Sequence, residues 1–267
     1  MEKPSPTELQ NFKKTALEAA HVGGEILKKY AESGFEIEHK SRLSLVTDAD
    51  KASEQAIVTL IKKAYPTHQI LAEEEGMHSN HLSPYKWIID PLDGTTNFTH
   101  GFPSYNVSIG LEYKNQCILG IVLDPTRPEL FVAEYGCGAT CNGVPIKVSG
   151  VNELGKSLLV TGFGYDLRET PENNLDEFCR FTLCAQGVRR TGAAALDLCY
   201  VASGRFDGFW EMKLHPWDTA AGVVILREAG GKLTNYEGQP YSIYGKKMVA
   251  SNGLIHDQIL EVLGKSI

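Results

Sequence analysis

A chain of 267 residues, 42% of them apolar, can bury a sizeable core as one large domain or as two subdomains sharing an interface. Its formal net charge is −7, and no run of Lys or Arg is long enough to suggest direct nucleic-acid binding or a membrane-surface patch. No stretch approaches the roughly 18 apolar residues that span a bilayer, so the expectation is a cytosolic protein, with no membrane contact, whose partners are small molecules.

After Pro6-Thr7-Glu8, the residues Leu9, Phe12, Ala16, Ala19, Gly23, Ile26, Leu27 and Tyr30 recur at helical spacing, with Thr7 as the N-cap. A second amphipathic helix runs from Ala52 to Ala64, with Ala56, Ile57, Leu60 and Ile61 on one face. It stops at Tyr65-Pro66, because the residue before a proline is steered away from helical angles. Short strands are expected at Gln69 to Ala72 and Trp87 to Asp90.

From Tyr105 to Val148 the pattern changes to short β-rich runs: Val107 to Leu111, Cys117 to Leu123 and Leu130 to Ala133. Hairpin-type turns separate them, including Asn142-Gly143, which predicts an antiparallel meander and makes residues 1–150 an α+β unit. Beyond Gly150, strand and helix signals alternate. Strands are expected at Leu158 to Thr161, at Val188, at Phe206 to Trp210 and near Leu233 and Val249. Helices are expected at Leu175 to Ala185, Ala193 to Ala202, Asp218 to Ala229 and from Ile255 onward. Residues 151–267 therefore read as α/β with a mixed sheet, and without a long Gly/Ser/Pro linker the halves pack as layers. The six cysteines form no CxxC pair and read as buried free thiols, and Cys137 and Cys141 lack the nearby His that a zinc site would need.

The chemistry concentrates in Trp87-Ile88-Ile89-Asp90-Pro91-Leu92-Asp93-Gly94-Thr95-Thr96-Asn97-Phe98. An apolar strand delivers Asp90 at its end, and Pro91 and Gly94 then force a turn that brings Asp93 back beside it. Two carboxylates that close repel unless one is protonated or a cation sits between them, and an all-oxygen set selects a hard ion such as Mg²⁺. Each piece also has a plain reading: Asp93-Gly94 as an ordinary turn, Glu73-Glu74-Glu75 as a solvated surface, Asp218 as a helix N-cap. Together they gather four acids at strand and helix ends. A short helix beginning after Gly94 would leave the amides of Gly94 and Thr95 pointing outward, an anion site beside the carboxylates.

At these residues the chain resembles the inositol monophosphatase family, within the lithium-sensitive, Mg²⁺-dependent phosphatase superfamily. The Trp87 to Phe98 segment and Trp217-Asp218-Thr219-Ala220-Ala221-Gly222 carry the resemblance, supported by Leu45-Val46-Thr47-Asp48-Ala49-Asp50, Glu73-Glu74 and Arg190 to Leu198. The resemblance implies a layered αβαβα sandwich, usually a homodimer, that hydrolyses myo-inositol monophosphate or a similar phosphorylated polyol or sugar. It implies two to three Mg²⁺ per site. Glu73, Asp90 and the Leu92 carbonyl would hold one, Asp90, Asp93 and Asp218 a second, and Glu73 with waters a weaker third. Thr95 and Asp50 would orient and deprotonate the attacking water, with Glu73 part of the catalytic set. Gly94 and Thr95 would cradle the phosphate, while Asp93, the Ala194 backbone, Glu211 and Asp218 would meet substrate hydroxyls. Lys40 and His215 sit where supporting groups are found, and Ala72 stands where the family often has Gly. Other substrates handled on this kind of metal site are fructose 1,6-bisphosphate, histidinol phosphate and NADP. Arg189 and Arg190 are read as a solvated strand end in preference to a second phosphate site. Some bacterial members also join transcription complexes, which leaves an interaction role as the rival reading.

Overall fold

The computed structural model describes residues 4–39, 45–78 and 82–264, so Lys40 lies outside the described residues. Helix α1 (Pro6–Ser33) is capped by Ser5, not Thr7. Ser5 Oγ accepts the Glu8 N–H and the Glu8 carboxylate accepts the Ser5 N–H at 2.8 Å, a reciprocal box that leaves Pro6 at the first helical position, where its missing N–H costs nothing. A ribbon of β1 (Ile37–His39) and β2 (Leu45–Thr47) leads into α2 (Asp48–Ala64), which starts four residues before its apolar periodicity does. Thr47 is the cap and Asp50 closes the box from the third helical position, so the opening turn is polar and escapes a search for apolar spacing.

Next come β3 (Gln69–Ala72), β4 (Gly76–Met77), β5 (Tyr85–Asp93), α3 (Thr95–Thr99), β6 (Asn106–Tyr113), β7 (Gln116–Asp124), β8 (Glu129–Glu134), β9 (Ala139–Cys141) and β10 (Val144–Pro145). These strands form one eight-stranded sheet in the order β10-β9-β8-β7-β6-β5-β3-β4. From β5 to β10 it is the expected antiparallel meander, and the Asn142-Gly143 turn has both residues at positive φ, 51° and 77°, as a tight hairpin requires. The sheet is not antiparallel throughout, because β3 and β5 pair in parallel, with Ala72 opposite Ile89. The small β4 strand turns the chain back after β3, so β5 re-enters beside β3 in the same direction.

The rest of the chain supplies β11 (Leu158–Thr161), α4 (Leu175–Cys184), β12 (Gly187–Arg189), α5 (Ala194–Ala202), β13 (Gly208–Met212), α6 (Pro216–Glu228), β14 (Lys232–Thr234), β15 (Lys247–Ser251) and α7 (His256–Leu263). Its sheet, β12-β11-β13-β15-β14, is mixed: the first two pairings are parallel and the last two antiparallel. Strand β13 lies two residues later than its apolar run suggests, which brings Glu211 into the strand.

Helices α1 and α2 cover one face of the large sheet, α5 and α6 lie between the two sheets, and α4 and α7 cover the outside of the small one. The architecture is the αβαβα sandwich. The cysteines depart from expectation: Cys117 and Cys199 are buried, but Cys137 and Cys179 are exposed. Cys137 sits between Gly136 and Gly138 in a positive-φ turn, and Cys179 is on the outer helix α4.

Helix α6 lies unusually close to the large sheet. A Cβ added at Gly120 would fall 2.3 Å from the Ala221 carbonyl oxygen, and one at Gly110 would fall 2.7 Å from Ala220 Cβ. Backbone cannot yield as a flexible side chain can, so Gly120→Ala is expected to lower stability by about 3 kcal/mol through overpacking. Denaturant unfolding of the variant beside the wild type checks this.

Candidate active site

Three backbone devices bring the sequence-selected acids together. The first is the parallel β3–β5 pairing: with Ala72 opposite Ile89, the next residues, Glu73 and Asp90, leave the ends of neighbouring strands side by side, and the Glu73 N–H bonds the Ile89 carbonyl at 3.2 Å. The second is a bulge in β5. Asp90 pairs with Ser108 and Asp93 with Asn106, three steps on one strand against two on the other. Residues three apart in a regular strand point to opposite faces, and the extra residue restores Asp93 to the same side as Asp90. The sequence suggests a turn at Pro91, and the structure makes a bulge instead. The third is α6, whose first turn presents Asp218. His215 is the N-cap, and its N–H donates to Asp218 Oδ2 at 2.6 Å.

Glu73, Asp90, Leu92, Asp93, Gly94, Thr95, Ala194, Glu211, His215 and Asp218 all line one cleft of about 750 Å³. Glu74 is not among the lining residues, so at this turn the cleft receives Glu73, despite Ala72 before it. Asp50 does not line the cleft; it stands behind Thr95, whose Oγ1 lies 3.1 Å from both Asp50 Oδ1 and the Leu92 carbonyl oxygen. The other Asp50 oxygen accepts the Thr47 N–H at 2.8 Å and the Thr47 hydroxyl at 2.5 Å, which fixes the carboxylate plane. Gly94 is left-handed (φ 95°), and a Cβ there would lie 2.8 Å from the Ser104 carbonyl oxygen. Helix α3 therefore starts with its first-turn amides at the cleft.

Asp93 is tied on both sides. Its Oδ2 accepts Asn106 Nδ2 and the Ala195 N–H, each at 2.8 Å, and its Oδ1 accepts the Ala194 N–H at 3.2 Å. The Ala194 amide thus faces Asp93 and reaches a substrate hydroxyl only by sharing. Asn97 Nδ2 reinforces the same junction, donating to the Ser104 and Thr191 carbonyls at 2.7 and 2.8 Å.

Electrostatically the head of the cleft is unbalanced. Asp90 is 1% exposed, and burial, then Glu73, Asp93 and Asp218, hold its carboxyl well above the ordinary range against a single opposing bond from the Leu92 amide. Desolvation in the cleft likewise raises Asp218, opposed by the His215 amide and reinforced by Glu73, Asp93 and Glu211. Burial pushes Asp93 up to about 6, with the Asn106, Ala195 and Ala194 donors pulling the other way. Oxygen donors sharing so much unscreened negative charge fit a hard divalent cation.

Beyond the expected set, Asp197 and Arg190 also line the cleft. Asp197, 1% exposed, is raised by burial and accepts the Thr191 hydroxyl. A carboxylate inside the otherwise apolar α5 was the available signal for it. Arg190 stands at the cleft rim, while Arg189 is exposed with its guanidinium on the Val188 carbonyl. Glu211 lies against the backbone of Gly162, where a Cβ would come within 2.3 Å of its Oε1. The His215 ring stacks on Trp217 at 4.8 Å.

A layered αβαβα sandwich with carboxylates gathered at the head of its cleft defines a metal-dependent phosphatase class. The chain belongs to the inositol monophosphatase family, whose model matches residues 8–267. It is 47% identical to an inositol-1-monophosphatase of Synechocystis sp. over 260 residues, covering 97% of this chain and 91% of the relative. The solved structure of an inositol monophosphatase from Anabaena superposes with a TM-score of 0.88 at 49% identity, covering 96% of each chain. A Nus factor SuhB of Pseudomonas aeruginosa is 43% identical, covering 91% of this chain and 92% of its own.

The raised carboxyl of Asp93 carries a pH signature. Between the ordinary value of 3.8 and about 6 the folded chain binds a proton there that the unfolded chain has released, so this residue's contribution to stability falls as pH rises through about 6. Asp93→Asn removes that dependence. In excess chelator, the melting temperature of the variant relative to wild type should rise between pH 5 and pH 7.5, as followed by circular dichroism.

Proposed function

We propose that the chain hydrolyses a small phosphate monoester, myo-inositol monophosphate foremost, with Mg²⁺ held by the carboxylates at the head of the cleft. The observation that carries this reading is the enclosure of Asp90 beside Glu73, Asp93 and Asp218, with the Thr95–Asp50 pair next to them. Residues 1–150 supply most of the ligands, and residues 151–267 supply Asp218 and further substrate contacts. Glu73, Asp90 and the Leu92 carbonyl would hold one ion, Asp90, Asp93 and Asp218 a second, and Glu73 a weaker third. When bound, the ions neutralise phosphate charge and lower the pKa of the attacking water.

The chain's own groups do the rest. Thr95 Oγ1 takes a proton from the attacking water as its own passes to Asp50 Oδ1, 3.1 Å away, and Glu73 completes the catalytic set at the ligand edge. The Leu92 carbonyl is the competing acceptor for the Thr95 hydroxyl, and its use as a ligand would leave that hydroxyl to Asp50. The first-turn amides at Gly94 and Thr95 receive the phosphate. Asp93, Glu211 and Asp218, with the shared Ala194 amide, accept or donate hydrogen bonds to the alcohol portion, which favours a polyol over an apolar ester. The protein acts in the cytoplasm as a homodimer, and Li⁺ inhibits by competing at a small-cation site. Resemblance to members that join transcription complexes, with the likeness to the Pseudomonas Nus factor, supports an additional interaction role. The acidic balance of the chain favours protein contacts over direct RNA contacts there.

Phosphate release from inositol monophosphate, fructose 1,6-bisphosphate, histidinol phosphate and NADP at saturating Mg²⁺ should be greatest with the first. Full activity in excess chelator would overturn the metal reading. Thr95→Ala and Asp50→Asn should each lower kcat by about 10²- to 10⁴-fold with little change in KM, because the pair acts on the water and not on the substrate. Steady-state kinetics of the two variants measures this, and a raised KM at normal kcat would reassign the residue to binding.

A further inference from the structure

Helix α2 presents Asp50, Ser53, Glu54 and Ile57 along one buried face, at i, i+3, i+4 and i+7. Three of them reach the segments that carry the proposed ligands. Asp50 meets Thr95, and Ser53 Oγ donates to the Pro91 carbonyl at 3.1 Å, inside the β5 bulge. Glu54, 2% exposed, takes the turn that follows Glu73: its Oε2 accepts the Glu74 N–H and its Oε1 the Glu75 N–H, each at 2.8 Å. Two consecutive amides are thus held by the two oxygens of one buried carboxylate. Together with the Glu73 N–H on Ile89, these bonds fix the backbone on both sides of the Glu73 Cα.

His78 closes the turn from outside. Its side chain is 8% exposed, its Nε2 lies 3.6 Å from Glu54 Oε1, and its Nδ1 lies 3.4 Å from Glu75 Oε2 and 3.4 Å from Lys62 Nζ. Among the described residues Glu54, Glu75 and His78 place ligand-type atoms within 4.8 Å of one another, yet the geometry is that of a clasp and not of a chelate. Both Glu54 oxygens already accept backbone N–H groups, and the Lys62 ammonium, 3.4 Å from His78 Nδ1, adds a positive charge beside the cluster.

We infer that Glu54 is a positioning residue: its bidentate grip on the Glu74 and Glu75 amides, braced by His78, holds Glu73 at the metal end of the cleft. The inference rests on the reading of Glu73 as a metal ligand. A Glu54→Gln change keeps the size but replaces one acceptor with an NH₂ group aimed at an amide N–H, which frees one side of the turn. The purely structural account predicts a different result, a general loss of stability that leaves metal affinity unchanged.

The test is Mg²⁺ binding to the full chain without substrate, by titration calorimetry and by the Mg²⁺-dependent rise in melting temperature. Glu54→Gln should weaken Mg²⁺ binding about ten-fold, and His78→Ala about two- to three-fold. A lowered melting temperature in chelator with Mg²⁺ affinity unchanged in both variants would overturn the inference. If Glu54→Gln does not fold, an unchanged affinity in His78→Ala overturns it alone. Zn²⁺ stabilisation of the wild type that disappears in His78→Ala, with Mg²⁺ affinity intact, would make the cluster a metal site and also overturn it. Asp93→Asn separates this result from the wider reading: if that variant also keeps wild-type Mg²⁺ affinity, the ligand assignment itself has failed.

Discussion

Carboxylates enclosed together repel one another, and the head of this cleft is arranged around that repulsion. Asp90 has 1% of its surface exposed and three acidic neighbours, and the one hydrogen bond that favours its charged form comes from a backbone amide two residues on. Such a group is stable only when protonated or when a cation lies among the oxygens. The same imbalance makes this end of the cleft suited to a cation, which would there offset the charge of an anionic ligand.

Holding the acids against their mutual repulsion falls to the backbone. Glu73 and Asp90 are neighbours because β3 and β5 are parallel, Asp93 rejoins Asp90 because of a one-residue bulge, and Asp218 arrives on a helix that touches the sheet through Gly110 and Gly120. Each of these is a rigid arrangement with no side-chain freedom to lose. The buried face of α2 runs behind the strand ends and reaches Thr95, Pro91 and the Glu73 turn at successive helical positions. One helix thus contacts three separate segments.

The far side of the cleft follows another logic. Glu211 and Asp197 are buried acids whose charge is balanced in part by Arg190, and Asp93 is shared between the two halves through the Ala194 and Ala195 amides. Acceptors in this low-dielectric wall reward a ligand rich in hydroxyl donors and penalise an apolar one. The β3–β5 side therefore gathers acids that suit a cation, while the α5–β13 side presents acceptors that suit an alcohol.

Much of this was legible in the sequence. The alternation of apolar and polar residues gave most strands and helices of the sandwich to within a few residues, and the Asp90 to Phe98 segment pointed to carboxylates gathered at a strand end. Two helix starts were missed because polar contacts set them: Ser5 and Thr47 cap their helices through Glu8 and Asp50, whose partners periodicity does not register. Sequence also marked Asp50 and Thr95 through their family resemblance, but 45 residues of separation hide the 3.1 Å contact between them. The parallel direction of β3 and β5, the bulge that replaces the expected turn, and the placement of Asp197 and Arg190 at the cleft depend on which strand pairs with which and in what register. Local spacing fixes the period of an element and the chemistry of its side chains. Strand order, register and helix-to-sheet distance are set by packing between distant segments, and those decided which acids meet.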